Sequence, residues 1–281
     1  MRKLLIIGAV IGMLYSCNTK TNNSYSFFVA GHTYGSPMAA NPGLHPPFIG
    51  MFSWLNESPD IEFGIFTGDI VRNSTETAWD SVDSQLTKLD KTVYFCPGNH
   101  DVKPRELYAS RYGDAYYSFI HKNGLFVILD GNSNRWNIKG PQLEFLKNTL
   151  NNAVPDISNV FVFVHQLIWW DESNIFSQIN LNWPPYTPDT TNYWSEVEPI
   201  LQNYHLPVFI FAGDLGANRQ ASALMYYPDG NVTYIASGMG NIDADNFIIV
   251  KVDADNEVRF EVIALGDDKN NPGRLEDHLL Q

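Results

Sequence analysis

Histidine, aspartate and asparagine residues stand directly after five short apolar runs of the chain. They are His32, Asp69, the segment Asn99-His100-Asp101, His165 and Asp214. Carboxylate, amide and imidazole groups are donors with which proteins bind Mn, Fe or Zn ions. The residue types therefore predict a metal site, provided that the fold brings these five points together.

The apolar runs before these residues are typical of strands buried on both faces. Each contains four or five apolar residues without alternation, at 27–30, 63–66, 93–96, 161–164 and 208–212. Helical patterns lie between several of them, which predicts a mainly parallel α/β arrangement. In such sheets, ligands bind beyond the carboxyl ends of the strands. We therefore expect the polar residues after all five strands to lie together at one edge of the sheet.

Three segments have the spacing of amphipathic helices. The first follows Ser74 or Thr75 as the expected N-cap, the second begins at Pro141, and the third covers 193–204. The second half of the chain changes character and predicts strands joined by tight turns, at 225–227, 232–236, 247–252 and 258–265.

The composition is that of a folded, acidic chain. Of its 281 residues, 44% are hydrophobic and 14% aromatic, which excludes an intrinsically disordered protein and favours one large domain. Acidic residues outnumber basic ones by 31 to 18, for a formal net charge of −13. Because a nucleic-acid backbone attracts clustered lysine and arginine, and no basic block is present, no nucleic-acid partner is expected.

Residues 1–16 are predicted to be a bacterial lipoprotein signal peptide. Arg2 and Lys3 precede an apolar stretch shorter than the ~20 residues of a membrane span. It ends in Leu14-Tyr15-Ser16-Cys17, which resembles the lipobox, where cleavage leaves a lipid-modified cysteine. An ordinary secretory signal, with this cysteine merely nearby, is the alternative. The interpretation places the protein in the bacterial cell envelope, anchored to the membrane by lipid and facing the periplasm.

The remaining chain divides around one domain. Residues 17–26 contain the lipidation site Cys17 and a polar tether, 27–266 form the domain, and 267–281 form a polar C-terminal tail. Two cysteines are too few for a disulfide framework. With Cys17 acylated, Cys96 is expected to be a buried thiol on a strand.

The order of these polar residues along the chain resembles the motif order of the calcineurin-like metallophosphoesterases, and the resemblance covers nearly the whole chain. The most specific element is Gly98-Asn99-His100-Asp101 after a buried strand, with Gly68-Asp69 one strand–helix unit earlier. His165 and the turn at Gly213 follow in the expected order. The resemblance implies an α/β fold with a central β-sandwich flanked by helices, and metal-dependent hydrolysis of phosphate esters.

The resemblance also implies a role for each matching residue. Asp69 corresponds to the aspartate that bridges two metals, and Asn99 and His165 correspond to ligands of the second metal. His100 corresponds to a histidine close to the leaving group, which it can protonate. The adjacent Asp101 is expected to orient the ring of His100.

Two motifs depart from the family pattern, and both losses fall on the first metal. D-x-H reads Ala30-Gly31-His32, and G-H-x-H reads Gly213-Asp214-Leu215-Gly216. The first metal keeps only His32 and the bridging aspartate, while the second keeps three ligands and gains Asp214 in place of histidine. Two carboxylates, one amide and one imidazole form a harder donor set, which favours Mn, Fe or Mg over Zn. We expect one or two divalent ions, one of them held tightly.

Candidate substrate contacts flank these ligands. Arg72, just beyond Asp69, is placed to contact a phosphate, or else is simply solvated. Trp169 and Trp170 open a long aromatic loop, where flat rings could stack on a sugar or a nucleobase. The alternative is a loop that packs on its own aromatic side chains.

Two hypotheses about function follow. The first is a metal-dependent phosphoester hydrolase that acts on a phosphate-ester small molecule or a phosphorylated glycan. The second is a catalytically inactive module of the same fold that binds a glycan or a protein partner. For the ligands, His32 could instead be a turn residue and Asp214 a cap, with His45 as a reserve ligand.

Overall fold

Eleven β-strands form the centre of the protein in a computed structural model that describes residues 23–183, 191–240, 243–266 and 273–281. In chain order they are β1 (Tyr25–Ala30), β2 (Ile61–Thr67), β3 (Thr92–Cys96), β4 (Tyr117–His121), β5 (Gly124–Ile128), β6 (Asn159–Val164), β7 (Val208–Ala212), β8 (Leu224–Asp229), β9 (Val232–Ser237), β10 (Asn246–Val252) and β11 (Val258–Ala264).

The strands form two mixed sheets, ordered β11-β10-β1-β2-β3 and β4-β5-β6-β7-β9-β8. Strands β1 to β3 are parallel, as are β5, β6, β7 and β9. Strands β10 and β11 in the first sheet, and β4 and β8 in the second, pair antiparallel with their neighbours. All five strands that precede the polar points are thus in the parallel parts of the sheets, as the sequence predicts.

Helices cover the outer faces of both sheets. Those on the first sheet are α1 (Pro46–Gly50), α2 (Phe52–Glu57), α3 (Glu76–Leu86) and α4 (Arg105–Tyr112). Those on the second are α5 (Pro141–Asn151) and α6 (Glu198–Gln202). The predicted α/β fold, a central β-sandwich flanked by helices, is confirmed.

The first two predicted helices are present, and the third is shorter than expected. The hydroxyl of Thr75 caps α3 by accepting a hydrogen bond from the Ala78 amide at 3.2 Å. Pro141 begins α5. The segment 193–204 instead forms a π-helical turn followed by α6. Pro199, in the first turn of α6, has no amide hydrogen to continue a ladder from the preceding turn.

The core between the two sheets is mainly aromatic. Phe27 of β1 lies edge-on to Phe126 of β5 and to Phe161 of β6, with ring centroids 5.2 Å apart in both pairs. All three rings are fully buried. Contacts of this kind stabilise beyond simple burial, because a positive ring edge meets a negative ring face. They hold the two sheets against each other.

Cys96 is the last residue of β3 and is buried and unpaired, which confirms the expected thiol on a strand. Its Sγ donates a hydrogen bond to the Leu129 carbonyl oxygen at 3.4 Å. Burial raises the pKa of this thiol well above its ordinary value, because the thiolate would lose its solvation. The side chain therefore belongs to the core.

The domain extends further toward both ends than the sequence predicted. β1 begins at Tyr25, which is buried, so Tyr25 and Ser26 belong to the sheet and not to the tether. Leu275, in the predicted polar tail, lies in a 3₁₀ turn and is fully buried between the sheets. An apolar side chain gains by leaving water even in a polar segment, which explains why the tail is attached.

Residues 1–22, with the predicted signal peptide and Cys17, lie outside the described residues. The same holds for 184–190, 241–242 and 267–272. Within the ranges that are described, no helix combines the length and the apolar composition needed to cross a membrane.

Candidate metal centre

The carboxyl ends of the parallel strands of both sheets converge at one edge, and glycines allow the close approach. Gly31, after β1, is so near to Gly213, after β7, that a Cβ on Gly31 would stand 2.6 Å from the Gly213 Cα. Gly68, after β2, has a φ of +86°, and a Cβ there would stand 2.4 Å from the His165 Nδ1. Because no side chain fits at these points, the segments that carry the polar residues can meet.

Asp69 lies at the centre of the cluster. Its Oδ1 is 3.3 Å from His165 Nε2, and its Oδ2 is 3.6 Å from His32 Nε2. Oδ1 also accepts a hydrogen bond from the His100 backbone amide at 3.1 Å. The two carboxylate oxygens thus face different histidines, which is the arrangement that a bridging carboxylate requires.

His165 is fully buried, and one hydrogen bond orients its ring. Nδ1 lies 2.8 Å from the Thr67 carbonyl oxygen. Since a carbonyl only accepts, Nδ1 carries a hydrogen, and in the neutral form of the ring, which is the form that binds a metal ion, Nε2 presents a lone pair to the cluster. Nε2 has no hydrogen-bond partner in the part of the chain that the structure describes, and it lies 3.8 Å from Asp214 Oδ2. This nitrogen is therefore placed to bind a cation.

His32 and Asp214 both join the cluster, and His32 also begins a turn, in which its carbonyl oxygen accepts a hydrogen bond from the Gly35 amide at 2.9 Å. With Asp69 they form a buried group whose ligand atoms all lie within 4.8 Å of one another. His32 and Asp69 have φ values of 53° and 50°, a left-handed conformation that is uncommon outside glycine. Strained backbone of this kind is concentrated at functional sites.

The charge of the two carboxylates in the cluster is balanced by histidines. Among the described residues, Asp69 and Asp214 form ion pairs only with histidines. Burial by itself lowers the pKa of His165, but the two carboxylates outweigh it and raise that pKa to about 10. Burial raises the pKa of Asp69, yet His165, His32 and His100 together bring it well below its ordinary value. Burial lowers the pKa of His32.

His100 stands at the open side of the cluster, where 38% of its side chain is exposed. Its Nδ1 lies 2.6 Å from the Arg72 carbonyl oxygen and so carries a hydrogen. Its Nε2 faces Asp69 Oδ2 at 3.9 Å. This nitrogen is therefore free to exchange a proton with a molecule at the cluster.

Asp101 does not orient the His100 ring, which corrects the sequence prediction. Its buried carboxylate accepts hydrogen bonds at 2.7–3.1 Å from the amides of Gly98, Ile70 and Val71. Three backbone donors satisfy this carboxylate more completely than one exposed ring would. Asp101 therefore ties the loop after β2 to the loop after β3, and the Arg72 carbonyl orients His100 instead.

Asn99 stands in the chain between Gly98 and His100, and the backbone of both neighbours lies against Asp69. A Cβ on Gly98 would stand 2.2 Å from Asp69 Oδ1, and the His100 amide donates to the same oxygen. Asn99 itself is half-buried. The loop after β3 thus brings the backbone of Asn99 next to Asp69.

The predicted substrate contacts lie in different surroundings. Arg72 is exposed near His100, and its Nη1 donates to the Ala39 carbonyl oxygen at 3.0 Å. Trp169 is fully buried, with its ring 5.4 Å from that of Tyr234, so the prediction that it stacks on a substrate is corrected. Trp170 is half-buried and packs against the same core. Here the loop packs on its own aromatic side chains because that removes large apolar rings from water.

Two residues that the sequence did not mark belong to the site. Tyr34 is 2% exposed, and its ring lies 4.4 Å from that of His32 and 5.3 Å from that of His100. Asn182 is buried, and its Nδ2 donates to Asp214 Oδ1 at 2.7 Å. Neither stands at a strand end, so the pattern that marked the other residues could not find them.

The reserve ligand His45 has a different partner, since its Nε2 lies 2.8 Å from Asp245 Oδ2.

The backbone accounts for one missing ligand of the first metal position. Gly216, where the family pattern has histidine, has a φ of +70°, and a Cβ there would stand 2.6 Å from the Gly238 carbonyl oxygen. A histidine at this position would be strained and would clash. The departure from the motif is therefore built into the local fold.

The sequence model of the calcineurin-like phosphoesterases matches residues 32–238. The protein belongs to this family, which confirms the resemblance that its motifs predict. A search of curated proteins finds no match.

Among solved structures, the protein is similar to a purple acid phosphatase from yellow lupin (Lupinus luteus) seeds. The TM-score is 0.64 and the identity 12%, over 88% of this chain and 52% of the other. A 5'-nucleotidase from Candida albicans matches with a TM-score of 0.48 and 13% identity, over 91% of this chain and 53% of the other. The protein thus spans about half the length of each. The similarity to the purple acid phosphatase shows the fold of this protein.

Proposed function

We propose that the protein hydrolyses phosphate esters with the help of a divalent metal ion. The observation that carries the proposal is the buried cluster at the strand ends. It joins two carboxylates, Asp69 and Asp214, to two imidazoles, and no described residue forms a hydrogen bond with His165 Nε2. Two buried carboxylates close together, paired only with histidines among the described residues, attract a metal cation in place of protons on those histidines. Membership of the phosphoesterase family gives the chemistry that such a site serves.

The donors present fit such an ion. Asp69, Asn99, His165 and Asp214 would hold it, and His32 would add a donor on the Oδ2 side of Asp69. Oxygen donors outnumber nitrogen donors, which favours Mn, Fe or Mg over Zn. A bound ion would supply Lewis acidity toward a phosphoryl oxygen and lower the pKa of a water molecule.

The chain's own residues would complete the reaction. His100 Nδ1–H donates to the Arg72 carbonyl oxygen, so the ring is held with Nε2 toward the cluster. A protonated Nε2 would deliver its proton to the oxygen of the leaving group. The guanidinium of Arg72, at the same open side, would contact the phosphate.

The proposed setting is the bacterial cell envelope. The lipobox-like sequence before Cys17 supports a lipid anchor facing the periplasm. The substrate would then be a phosphate-ester small molecule or a phosphorylated glycan within reach of that membrane.

Two substitutions test the proposal together. Asp69→Asn is expected to abolish both Mn²⁺ binding and hydrolysis of phosphate esters, because it removes a carboxylate that faces both histidines. His100→Ala is expected to keep Mn²⁺ and to lower turnover by about 10²–10⁴-fold, the usual effect of removing an acid–base group. The loss should be smaller with p-nitrophenyl phosphate, whose leaving group needs little protonation. Calorimetric Mn²⁺ titration and steady-state rates provide both readouts.

The same experiment decides between the two hypotheses about function. If the parent binds no metal and hydrolyses nothing above the level of the Asp69→Asn variant, the protein is an inactive module of the fold. If His100→Ala loses Mn²⁺ as well, His100 is a ligand and its proposed role as an acid is wrong.

A further inference from the structure

A pocket of about 480 Å³ lies beside β3, at an edge of the first sheet. Its lining comes from α3, β3, α4 and the first residue of β4, and it includes Asp114 between the last two elements. The metal cluster lies instead in the loops after the strands, so this pocket is a separate feature. Its volume is within the range of small-molecule sites, and it is therefore large enough for a ligand of its own.

The wall of the pocket is mainly aromatic. Its aromatic lining residues are Tyr94, Phe95, Tyr108, Tyr112 and Tyr117. The Tyr112 ring lies edge-on to that of Phe95, with centroids 4.9 Å apart, and its centroid is 5.5 Å from that of Tyr108. The face of an aromatic ring is negative and attracts a cation, more strongly where water is excluded. The wall therefore offers several rings to a cationic group.

Two of the tyrosine hydroxyls are already hydrogen-bonded. Tyr112 Oη donates to Asp83 Oδ1 at 2.8 Å. Tyr117 Oη donates to the Phe95 carbonyl oxygen at 3.0 Å and accepts from the Phe95 amide at 3.2 Å. Tyr108 is 1% exposed, and its hydroxyl forms no hydrogen bond with another described residue. A primary ammonium group has three N–H donors to satisfy, whereas a quaternary ammonium group has none. The wall therefore suits the quaternary group better.

The surroundings of the pocket are acidic. Glu76, Asp80 and Asp83 of α3 share a single guanidinium, that of Arg111, at 2.6–2.7 Å. Asp114 is exposed and forms no ion pair with another described residue. Four negative groups and one positive group leave a net charge of −3. This charge attracts a cation and repels a phosphate group.

We propose that this pocket binds a free quaternary ammonium ion at a site distinct from the metal centre. The rings of Phe95, Tyr112 and Tyr117 surround the methyl groups of the ion, and Asp114 supplies the opposite charge. Tyr108 Oη is left to bond to a hydroxyl of the same ligand. Because the acidic surroundings repel phosphate, the ligand is a free cation and not the headgroup of a phospholipid.

Calorimetric titration with choline, a quaternary ammonium alcohol, tests the proposal. The titration is done in EDTA, which keeps metal-dependent binding at the other site out of the measurement. Choline is expected to bind about tenfold more tightly than its neutral analogue, in which a tert-butyl group replaces the trimethylammonium group. It should also bind more tightly than ethanolamine, the primary ammonium analogue, and more tightly than glycerophosphocholine, which carries a phosphate.

Substitutions locate the binding in this pocket. Tyr112→Leu should weaken choline binding about tenfold because it removes a ring, and Tyr112→Phe should keep most of the affinity because the ring remains. Asp114→Asn should weaken binding about three- to fivefold, as expected for the loss of one nearby charge in water. Asp156→Asn is the matched control, since Asp156 is exposed in the loop before β6, outside the pocket. This control should leave the affinity unchanged. Asp114→Asn decides the test if Tyr112→Leu fails to fold.

Four results would overturn the proposal. If the neutral analogue binds as tightly as choline, the pocket is an apolar site and the assignment to a cation is wrong. If ethanolamine binds as tightly, the ligand is not specifically a quaternary ion. If glycerophosphocholine binds more tightly than choline, the ligand is a lipid headgroup and not a free cation. If choline does not bind, or binds equally to the parent and to both Tyr112→Leu and Asp114→Asn, this pocket is not its site.

Discussion

Asn182→Ala is expected to weaken metal binding without removing a metal ligand. The substitution deletes the donor that lies 2.7 Å from Asp214 Oδ1. Asp214 would keep its charge and its place after β7, but its carboxylate would no longer be fixed in rotation. Its Oδ2, 3.8 Å from His165 Nε2, would then leave its position facing the cluster for part of the time.

The expected loss of metal affinity follows from the type of hydrogen bond that is removed. A hydrogen bond to a charged group contributes about 1.5–3 kcal/mol. Loss of a partner that orients a metal ligand weakens metal binding by about 10–100-fold. The two ranges agree, since every 1.4 kcal/mol is tenfold in affinity. The fold is also affected, because the buried Ala217 amide loses its acceptor, at a cost of about 1–3 kcal/mol in the free energy of unfolding.

Calorimetric titration of metal-free protein with Mn²⁺ measures the effect, and thermal unfolding in EDTA measures the loss of stability separately. Asn192→Ala is a matched control. Asn192 is also a buried asparagine near this loop, but its side chain bonds to the Ile138 amide and carbonyl at 3.0 and 2.7 Å. This control should lower stability and leave the Mn²⁺ affinity within about threefold of the parent.

Two results would refute the reasoning. If Asn182→Ala binds Mn²⁺ as tightly as the parent, Asp214 is either held by other contacts or is not a ligand. If Asn192→Ala loses as much Mn²⁺ affinity as Asn182→Ala, the effect is a general loosening of the loop and not the orientation of Asp214.

Three further predictions concern the metal count, the anchor and the stability of the sheet edge. Elemental analysis after dialysis is expected to find about one transition metal per chain, because the first position lacks two donors; two equivalents would contradict this. Cys17→Ser should release the protein from the membranes of a bacterial host, and equal membrane association of variant and parent would count against lipidation. Glu62→Gln should lower the melting temperature at pH 7 by about 1–3 °C, since Glu62 pairs with His121 at 2.7 Å and with Lys122. Burial raises the pKa of Glu62, but the hydrogen bonds from Lys122 and His121 lower it overall. A lowered pKa stabilises above the pKa of the unfolded chain, and the effect is lost as the pH falls. The difference in melting temperature between variant and parent should therefore close by about pH 3, and a constant difference from pH 7 to pH 3 would show that the ion pair is not its cause.

The strand ends could be read from the sequence because their signal is local. A run of apolar residues that stops at glycine and a polar residue marks a buried parallel strand and its carboxyl end. The topology of parallel sheets then places those ends at one edge. Asp69, His165 and Asp214 were found in this way, and the structure brings them together at 3.3–3.8 Å.

Other elements carried weaker local signals. The hairpin of β4 and β5 is absent from the sequence prediction, although both strands lie in the second sheet. Its turn uses Lys122 with a φ of 49°, a conformation that is uncommon for lysine, and β4 is an edge strand with alternating exposure. A strand of this kind is stabilised chiefly by its neighbour, so its own residues mark it poorly.

By itself, the sequence determined the family, the parallel strands that precede the polar residues, and the residues at their carboxyl ends. Only the tertiary structure decided the partners of those residues. It buried Trp169 in the core, gave the Asp101 carboxylate three backbone donors, and placed Asn182 against Asp214. The physical reason is the range of the interactions. Backbone propensity and apolar patterning act over a few neighbouring residues, whereas hydrogen-bond partners and burial depend on segments that meet only after the sheets have packed.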